Sequence, residues 1–151
     1  MRPADERVLF LDIDGVLNRT GFRPAESVGL RSWIEPELAA RLSEVLAASG
    51  ARVVVSSDWR RGRSRDHLEA ELAAAGIACS VIGATPELAR PRWREIEAWM
   101  TEHPSVAESV VIVDDGYDMG DLAARFVRTS PLSGLDDDAR SAILKLFGVV
   151  S

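Results

Sequence analysis

Two aspartates that are two positions apart follow an apolar run near the start of the chain. Residues 8–11 are all apolar, Asp12 and Asp14 come soon after them, and Gly15 then allows a sharp turn. A short apolar run is typical of a buried parallel strand, whose carboxyl end faces the crevice where open α/β sheets bind ligands. Because close carboxylates repel each other, a fold keeps them together mainly where a cation or a proton transfer offsets that cost. The pattern therefore indicates catalytic acids, or oxygen ligands of the kind that Mg²⁺ prefers.

Two later segments repeat this pattern of an apolar run with polar residues at its end. One run ends in Ser56 and Ser57, and the other ends in Asp114 and Asp115. In a parallel sheet the three ends lie at the same edge, which would then hold a nucleophile, a second acid, a hydroxyl donor and a metal-binding pair. Taken singly, an aspartate or a serine after a strand is more often a turn former or a helix N-cap. The three segments together favour a catalytic site.

These motifs make the chain similar to the haloacid dehalogenase (HAD) superfamily, whose phosphohydrolases use an aspartate nucleophile. Residues 12–17 match its first motif, Ser56 or alternatively Ser57 its second, and Asp114 with Asp115 its fourth. The motifs follow one another in order over most of the chain. The first two, with the residues just after them, also resemble the phosphatase modules of bacterial RNA repair proteins.

The resemblance implies hydrolysis of a phosphomonoester through an aspartyl-phosphate intermediate, with Mg²⁺ as the cofactor. Asp12 would be the nucleophile, and Asp14 would protonate the leaving oxygen and then deprotonate the attacking water. Mg²⁺ would be held by Asp12, by the backbone carbonyl of Asp14 and by Asp115, with Asp114 acting through water or orienting a neighbour. An acid at the place of Asp14 favours a phosphomonoester, because superfamily members that cleave carbon–halogen or phosphonate bonds generally lack it.

The phosphoryl group would accept hydrogen bonds from a serine of the second motif and from a cation of the third. Ser56 is the preferred hydroxyl donor and Ser57 the alternative. The cation is usually a lysine, but Lys145, which is the one lysine of the chain, comes after the fourth motif. An arginine must take its place, and Arg92 is preferred to Arg94. For either one, an arginine exposed at a helix start is the alternative.

Apolar runs and turn residues predict alternating strands and helices, which is typical of one α/β domain over residues 1–151. Strands are expected at 8–11, 51–55, 79–82, 109–113 and 126–128. Helices are expected at 36–48, 65–75, 91–101 and 136–147, and the first two end at glycines. The predicted fold class is a single, doubly wound, Rossmann-like parallel sheet with helices on both faces. The resemblance adds the strand order 3-2-1-4-5.

The segment 18–35 is the one long stretch without clear periodicity. Loops of this length are often functional lids, and in the superfamily this position holds a flap or a cap domain. Eighteen residues cannot form a separate cap domain, so we expect a flap and an open site that accepts a large phosphate ester as readily as a small one. Phe22 and Trp33 are candidate contacts to the substrate, although core packing explains Trp33 equally well.

An arginine-rich segment follows the second motif and has no role in the motifs themselves. Trp59 comes first, followed by Arg60, Arg61, Arg63 and Arg65. These side chains could clamp a second phosphate or stack on a base. The alternative is a solvated helix start that neighbouring acids balance. Arginines at a helix N-terminus oppose the helix dipole, which slightly favours a functional role.

Composition predicts a protein that works in the cytoplasm and not at a membrane. The net charge is −6, so there is no overall basic field to attract nucleic acid. Cys79 is the single cysteine and is expected to be a small buried residue, which fits a reducing compartment. Residues 1–6 are polar and the apolar run after them is short, so no signal peptide is expected, and no stretch approaches the roughly 20 apolar residues of a membrane span.

The expected partner is therefore a phosphorylated substrate, either a small molecule or a nucleic-acid end, and no obligate protein partner is evident. Two other classes of function compete with an enzyme. A receiver-type signalling module also combines aspartates with Mg²⁺, but it places its acid pair after the first strand and its acceptor aspartate after the third, which this order contradicts. A non-catalytic phosphate-binding module is the other alternative, and the complete set of acids argues against it.

Overall fold

A parallel β-sheet is the centre of the fold in the computed structural model, which describes residues 7–88, 91–106, 109–116 and 118–149. Within these ranges the sheet has five strands: β1 (Val8–Leu11), β2 (Arg52–Val55), β3 (Val81–Ala84), β4 (Val110–Asp114) and β5 (Phe126–Arg128). Their order in the sheet is 3-2-1-4-5, and every pair is parallel. The predicted fold class and strand order are confirmed. Residues 1–6, on which the expectation of no signal peptide depends, lie outside the described residues.

The described part of the chain has four α-helices, of which the first three connect successive strands and the fourth follows β5. They are α1 (Pro36–Ser49), α2 (Arg65–Ala74), α3 (Arg92–Glu102) and α4 (Asp137–Phe147). Helix α1 ends where Gly50 adopts a left-handed conformation with φ of 70°, as glycine at this position predicts. Short 3-10 turns cover Leu30–Trp33, Asp58–Arg60, Pro104–Val106 and Gly120–Arg125. Among the described residues no helix combines the length and the apolar character needed to cross a membrane.

Helices cover both faces of the sheet because successive strand residues point to opposite sides. Leu9 and Leu11 face one side and pack with the buried residues of α1, α2 and α4. Val8 and Phe10 face the other side, where Ile96 of α3 completes a second core cluster. Asp12 continues this alternation, so its side chain lies on the same side of the sheet as α3.

The third strand lies two residues later than predicted, at Val81–Ala84 instead of 79–82. Two side chains of α2 set its start, because Arg65 donates to the carbonyl oxygen of Val81 at 2.8 Å and Glu69 accepts from its N–H group at 2.8 Å. Cys79 therefore precedes the strand and packs partly buried against the core. Burial raises the pKa of its thiol to about 11, which agrees with the expected packing role.

The segment 18–35 forms a flap of irregular structure beside the end of β1. Its regular elements are the 3-10 turn at Leu30–Trp33 and a single bridge between Asp14 and Asn18. The N–H group of Glu35 donates to the carbonyl oxygen of Leu17 at 2.8 Å, which closes the flap at its base. No large cap domain is present in the described ranges, as predicted.

Candidate active site

The carboxyl ends of β1, β2 and β4 meet at one edge of the sheet. Leu11 is paired with Val55 on one side and with Val113 on the other, so the residues that follow these three are neighbours. The backbone N–H group of Asp12 continues the ladder by donating to the carbonyl oxygen of Val113 at 3.1 Å, and the backbone N–H group of Ser56 donates to the carbonyl oxygen of Leu11 at 3.0 Å. A cavity of about 420 Å³ opens at this edge. Its walls include Asp12, Asp14, Ser57, Arg92, Asp114 and Asp115.

Gly15 allows the chain to turn directly behind the acids. Its φ is 81°, which L side chains rarely adopt. An added Cβ atom would also lie only 2.2 Å from Oδ2 of Asp115. The absence of a side chain at position 15 therefore lets the loop after β1 approach the carboxylate of Asp115.

Three carboxylates form a cluster at the base of the cavity. Asp12, Asp114 and Asp115 each offer an oxygen within 4.8 Å of the others. Burial raises the pKa of Asp12 well above its usual range, Asp114 and Asp115 raise it further, and Arg92 opposes them. Burial also raises the pKa of Asp115, although a hydrogen bond with Asp12 opposes the increase. Two carboxyl groups share a hydrogen bond only when one carries a proton, so a cation among these oxygens would take the place of that proton.

The oxygen-only donor set of this cluster fits Mg²⁺. The two oxygens of Asp114 already accept hydrogen bonds, one from the N–H group of Gly116 at 2.7 Å and one from Arg92 at 2.7 Å. Oδ1 of Asp12 accepts from the N–H group of Ile13 at 2.9 Å. Asp114 is thus held in place by its neighbours, whereas Asp115 lies at the cavity wall.

Arg92, the first residue of α3, is the cation at this cluster. Its Nη1 atom lies 3.1 Å from Oδ1 of Asp12 and 2.7 Å from Oδ2 of Asp114. Burial alone would lower the pKa of the guanidinium, but the two carboxylates outweigh this effect and raise it, so Arg92 carries its charge throughout the physiological range. Arg94 lies elsewhere, with its guanidinium 5.6 Å from the centre of the Trp93 ring. Of the two candidates, Arg92 is the one that the structure brings to the cavity.

The carboxylate of Asp14 lies apart from the three-carboxylate cluster and faces the flap. Its Oδ1 atom accepts two hydrogen bonds, from Nδ2 of Asn18 at 2.9 Å and from the indole Nε1 of Trp59 at 3.2 Å. The side chain is exposed to the cavity. The carboxylate of Asp14 is therefore accessible to a substrate in the cavity, although it is not part of the acidic cluster.

The two serines after β2 have different surroundings. Ser57 lies in the cavity wall, and its hydroxyl oxygen accepts from the N–H group of Trp59 at 3.2 Å, which leaves its own hydrogen free to donate. Ser56 is completely buried, and its hydroxyl has no hydrogen-bond partner among the described residues. The structure thus brings Ser57 to the cavity, while the preference for Ser56 derived from the sequence stays a prediction.

The arginines of the segment 59–65 do not form one anion-binding surface. Arg60 is 3% exposed and donates to Glu95 and to the carbonyl oxygen of Thr85, both at 2.8 Å. Arg61 is exposed but lies within 4.0 Å of two acids, Asp58 and Glu87. Because Arg60 is buried and paired with Glu95, it is not available to a clamp, which was one of the two alternatives for this segment.

Two other arginines of the same segment are also bound within the chain. Arg65 pairs with Asp66 and contacts β3. Arg63 lies over the ring of Trp59, 5.1 Å from its centre, and donates to the carbonyl oxygen of Trp59 at 3.0 Å. The surroundings of the segment therefore correspond more closely to the second interpretation, a helix start balanced by neighbouring acids.

Thr129 holds two segments of the site together, although no sequence motif indicates this role. Its hydroxyl donates to the carbonyl oxygen of Gly15 at 2.8 Å, and its N–H group donates to the carbonyl oxygen of Asp114 at 2.9 Å. It therefore ties the loop after β1 to the end of β4. Thr129 is 114 residues from Gly15 in the sequence, so no local pattern could have identified it.

A second cavity of about 270 Å³ lies under the flap and shares Asp14 and Asp115 with the first. Phe22 and Trp33, the two candidate substrate contacts, both line it. The centres of these two rings are 6.4 Å apart in an edge-to-face arrangement. The two cavities therefore adjoin at Asp14 and Asp115.

Residues 8–139 match the family model of the HAD domain in Swiss Army Knife RNA repair proteins. The match covers well over half of the chain, so the chain belongs to this family, and the resemblance derived from the motifs is confirmed. Membership of the HAD superfamily implies phosphohydrolase chemistry. No curated protein and no solved structure matches the chain.

Proposed function

We propose that this protein is a Mg²⁺-dependent phosphomonoesterase that works through an aspartyl-phosphate intermediate. The observation that carries the proposal is the position of Arg92, which lies between Asp12 and Asp114 at the cavity where Asp115 completes an acidic cluster. Phosphoryl transfer needs positioning and charge neutralisation more than any other help from a protein. The guanidinium of Arg92 and a cation bound by the acidic cluster would both lie beside Asp12. Together they would supply the positioning and the charge neutralisation.

Asp12 is the nucleophile of the proposed reaction. A carboxylate oxygen of Asp12 attacks phosphorus, and the bond from phosphorus to the ester oxygen breaks, so that one difficult step becomes two easier ones. Arg92 lies beside Asp12 and can donate to the phosphoryl oxygens from there. Ser57 contributes a hydroxyl donor from the wall of the same cavity.

Asp14 is the general acid and then the general base. It gives a proton to the departing ester oxygen in the first step and takes one from water in the second, when that water attacks phosphorus and releases phosphate. Its exposed carboxylate belongs to a residue that lines both cavities, so it can face the leaving group of a substrate held at Asp12. A single residue can therefore serve both half-reactions.

Asp12, Asp115 and the backbone carbonyl of Asp14 would hold Mg²⁺, with Asp114 as an orienting residue. The hydrogen bonds to both oxygens of Asp114 favour this division of roles. When bound, Mg²⁺ would supply positive charge that keeps the buried carboxylates ionised and offsets the charge of the phosphate.

The experiment is a phosphate-release assay over a panel of phosphomonoesters, from small esters to oligonucleotides with a 3′- or 5′-phosphate, with Mg²⁺ or with EDTA. We expect release that requires Mg²⁺ in the wild-type protein and none in Asp12→Asn, whose isosteric amide keeps the fold but cannot attack phosphorus. Acid quenching during turnover should trap an acyl phosphate that hydroxylamine cleaves. Activity of Asp12→Asn within tenfold of wild type, or an absence of release from every ester, would overturn the proposal.

A nucleic-acid end is the second candidate for the substrate. The matched family model describes a domain of RNA repair proteins, and the second cavity offers the aromatic ring of Phe22 next to Asp14. Aromatic side chains bind unpaired bases by stacking, at about 1–3 kcal/mol per base. If the substrate is a polynucleotide, Phe22→Ala should raise KM for oligonucleotides with a 3′- or 5′-phosphate and leave KM for a small alkyl phosphate unchanged. An equal effect on both would favour a small metabolite.

A further inference from the structure

We propose that Trp59 is a positioning residue that orients Asp14 for proton transfer to the leaving group. This inference depends on the proposed function, because it assigns Trp59 a part in the same reaction. It also gives a role to the tryptophan of the segment 59–65, which the motifs of the chain do not explain.

The hydrogen bonds to Asp14 decide which of its two oxygens can carry the proton. Trp59 and Asn18 both donate to Oδ1, at 3.2 Å and 2.9 Å. The indole N–H and the side-chain amide NH₂ are donors only, so a proton on Oδ1 would face two other hydrogens. The transferable proton is therefore confined to Oδ2, and the plane of the carboxyl group is fixed by two contacts on its other oxygen.

Trp59 is itself held from several sides. Its backbone N–H donates to the hydroxyl of Ser57 at 3.2 Å, and its ring packs against the edge of the core. The guanidinium carbon of Arg63 lies 5.1 Å from the ring centre, at a distance typical of a cation–π contact. The same arginine donates to the carbonyl oxygen of Trp59 at 3.0 Å.

These contacts make the indole a link between the turn after β2 and the acid after β1. Ser57 at one end lies in the wall of the catalytic cavity, and Asp14 at the other end faces the leaving group in the proposed reaction. Trp59 therefore fixes the direction of the general acid relative to the phosphate-binding turn. It touches neither phosphate nor leaving group in this role, so it is not a catalytic residue.

The test compares two phosphate esters that need an acid to different extents. An alkyl phosphate has a poor leaving group that must be protonated, whereas 2,4-dinitrophenyl phosphate releases 2,4-dinitrophenolate, a stable anion that needs no proton. Trp59→Phe retains a large ring for Arg63 but removes the N–H donor. We expect kcat for the alkyl phosphate to fall about tenfold or more, as part of the roughly 10²–10⁴-fold that general acid catalysis supplies. The kcat for the dinitrophenyl ester and both KM values should stay nearly unchanged.

Trp93→Phe is the matched control because it makes the same chemical change at a tryptophan of α3 that packs beside Gly120. This control should change kcat for the two esters by the same factor. In an Asp14→Asn background, Trp59→Phe should no longer alter the ratio of the two rates, because the acid on which it acts is gone. Arg63→Ala, which loosens the ring but keeps the N–H donor, should lower the same ratio to a smaller extent.

The inference would be overturned if Trp59→Phe lowered kcat for the two esters by the same factor. It would also be overturned if Trp59→Phe changed the ratio of the two rates as much in the Asp14→Asn background as in wild type. Either result would assign Trp59 to loop structure alone. Should Trp59→Phe fail to fold in a thermal unfolding assay, the ratio measured with Arg63→Ala decides the question, and an unchanged ratio counts against the inference. A wild-type protein without activity on either ester would instead overturn the proposed function.

Discussion

The guanidinium of Arg60 donates a hydrogen bond of 2.8 Å to the carboxylate of Glu95, and both side chains are buried. This ion pair joins the turn after β2 to helix α3, which begins with Arg92. The same oxygen of Glu95 accepts from the N–H group of Leu88 at 2.9 Å, so the loop before α3 is held as well. The position of Arg92 at the acidic cluster thus depends on a contact outside the cavity.

Arg60→Ala is expected to destabilise the protein by about 3–5 kcal/mol, because it leaves the buried carboxylate of Glu95 without its charged partner. Urea unfolding measures this loss as a lower transition midpoint. The matched control is Arg61→Ala, one residue later, where the side chain is 58% exposed and its ion pairs are on the surface. A similar loss of stability in both variants would show that the buried pair with Glu95 stabilises the protein no more than a surface ion pair does.

Gly15→Ala is expected to destabilise the protein and to displace Asp115. The substitution combines a positive φ of 81° with a Cβ atom placed 2.2 Å from Oδ2 of Asp115. Gly76→Ala is its control, because Gly76 also has a positive φ, of 95°, but open space around its Cβ position. Backbone strain should lower the free energy of unfolding of the control by about 1–2 kcal/mol. Gly15→Ala should lower it by more.

The displacement of Asp115 should also weaken metal binding. A cation that binds the folded state alone raises the unfolding temperature, so Mg²⁺ should raise it in wild type and in Gly76→Ala but much less in Gly15→Ala. Equal stabilisation of all three proteins by Mg²⁺ would argue that Asp115 does not take part in binding the cation.

Asp12→Asn is expected to stabilise the metal-free protein at neutral pH while it abolishes turnover. Burial and the neighbouring Asp114 raise the pKa of Asp12 in the folded state, whereas an unfolded aspartate titrates at about 3.9. The folded protein therefore holds this proton more tightly, and its stability falls as the pH rises above about 4. Asparagine does not titrate, so the advantage of the variant should be small at acid pH and should increase towards the raised folded-state pKa.

Urea unfolding in EDTA between about pH 4 and pH 8 measures this difference at each pH. Asp121→Asn, which changes an exposed carboxylate outside the cavity wall, is the control and should follow wild type closely. A stability difference between Asp12→Asn and wild type that does not change with pH would contradict the inferred protonation of Asp12.

Ser57→Ala is expected to lower turnover about 100-fold, which is typical for the loss of one donor to a developing anion. It should also lower stability by about 1 kcal/mol, because Ser57 caps the 3-10 turn at Asp58–Arg60. Ser56→Ala removes a buried hydroxyl that has no partner among the described residues, so its stability should be unchanged or higher. A greater loss of turnover in Ser56→Ala than in Ser57→Ala would instead support the preference derived from the sequence.

Much of the fold could be predicted because buried strands consist of short runs of apolar residues that are visible in the sequence. The strands β1 and β4 lie within one residue of their predicted bounds, and both are apolar runs buried on two faces. Polar residues after such runs must lie at one edge of a parallel sheet, which is why Asp12, Asp114 and Asp115 were predicted to meet. The start of β3 was missed because side chains of α2, and not its own apolar pattern, determine it.

The sequence by itself determined the class of fold, the acids at the sheet edge and the resemblance to HAD phosphohydrolases. Only the tertiary structure decided which polar side chains approach these acids. It placed Arg92 at the cluster and buried Arg60, and it brought the indole of Trp59 to Asp14 over a separation of 45 residues. Such contacts depend on where two elements pack in space, whereas residue type and spacing report only the burial and geometry of each element along the chain.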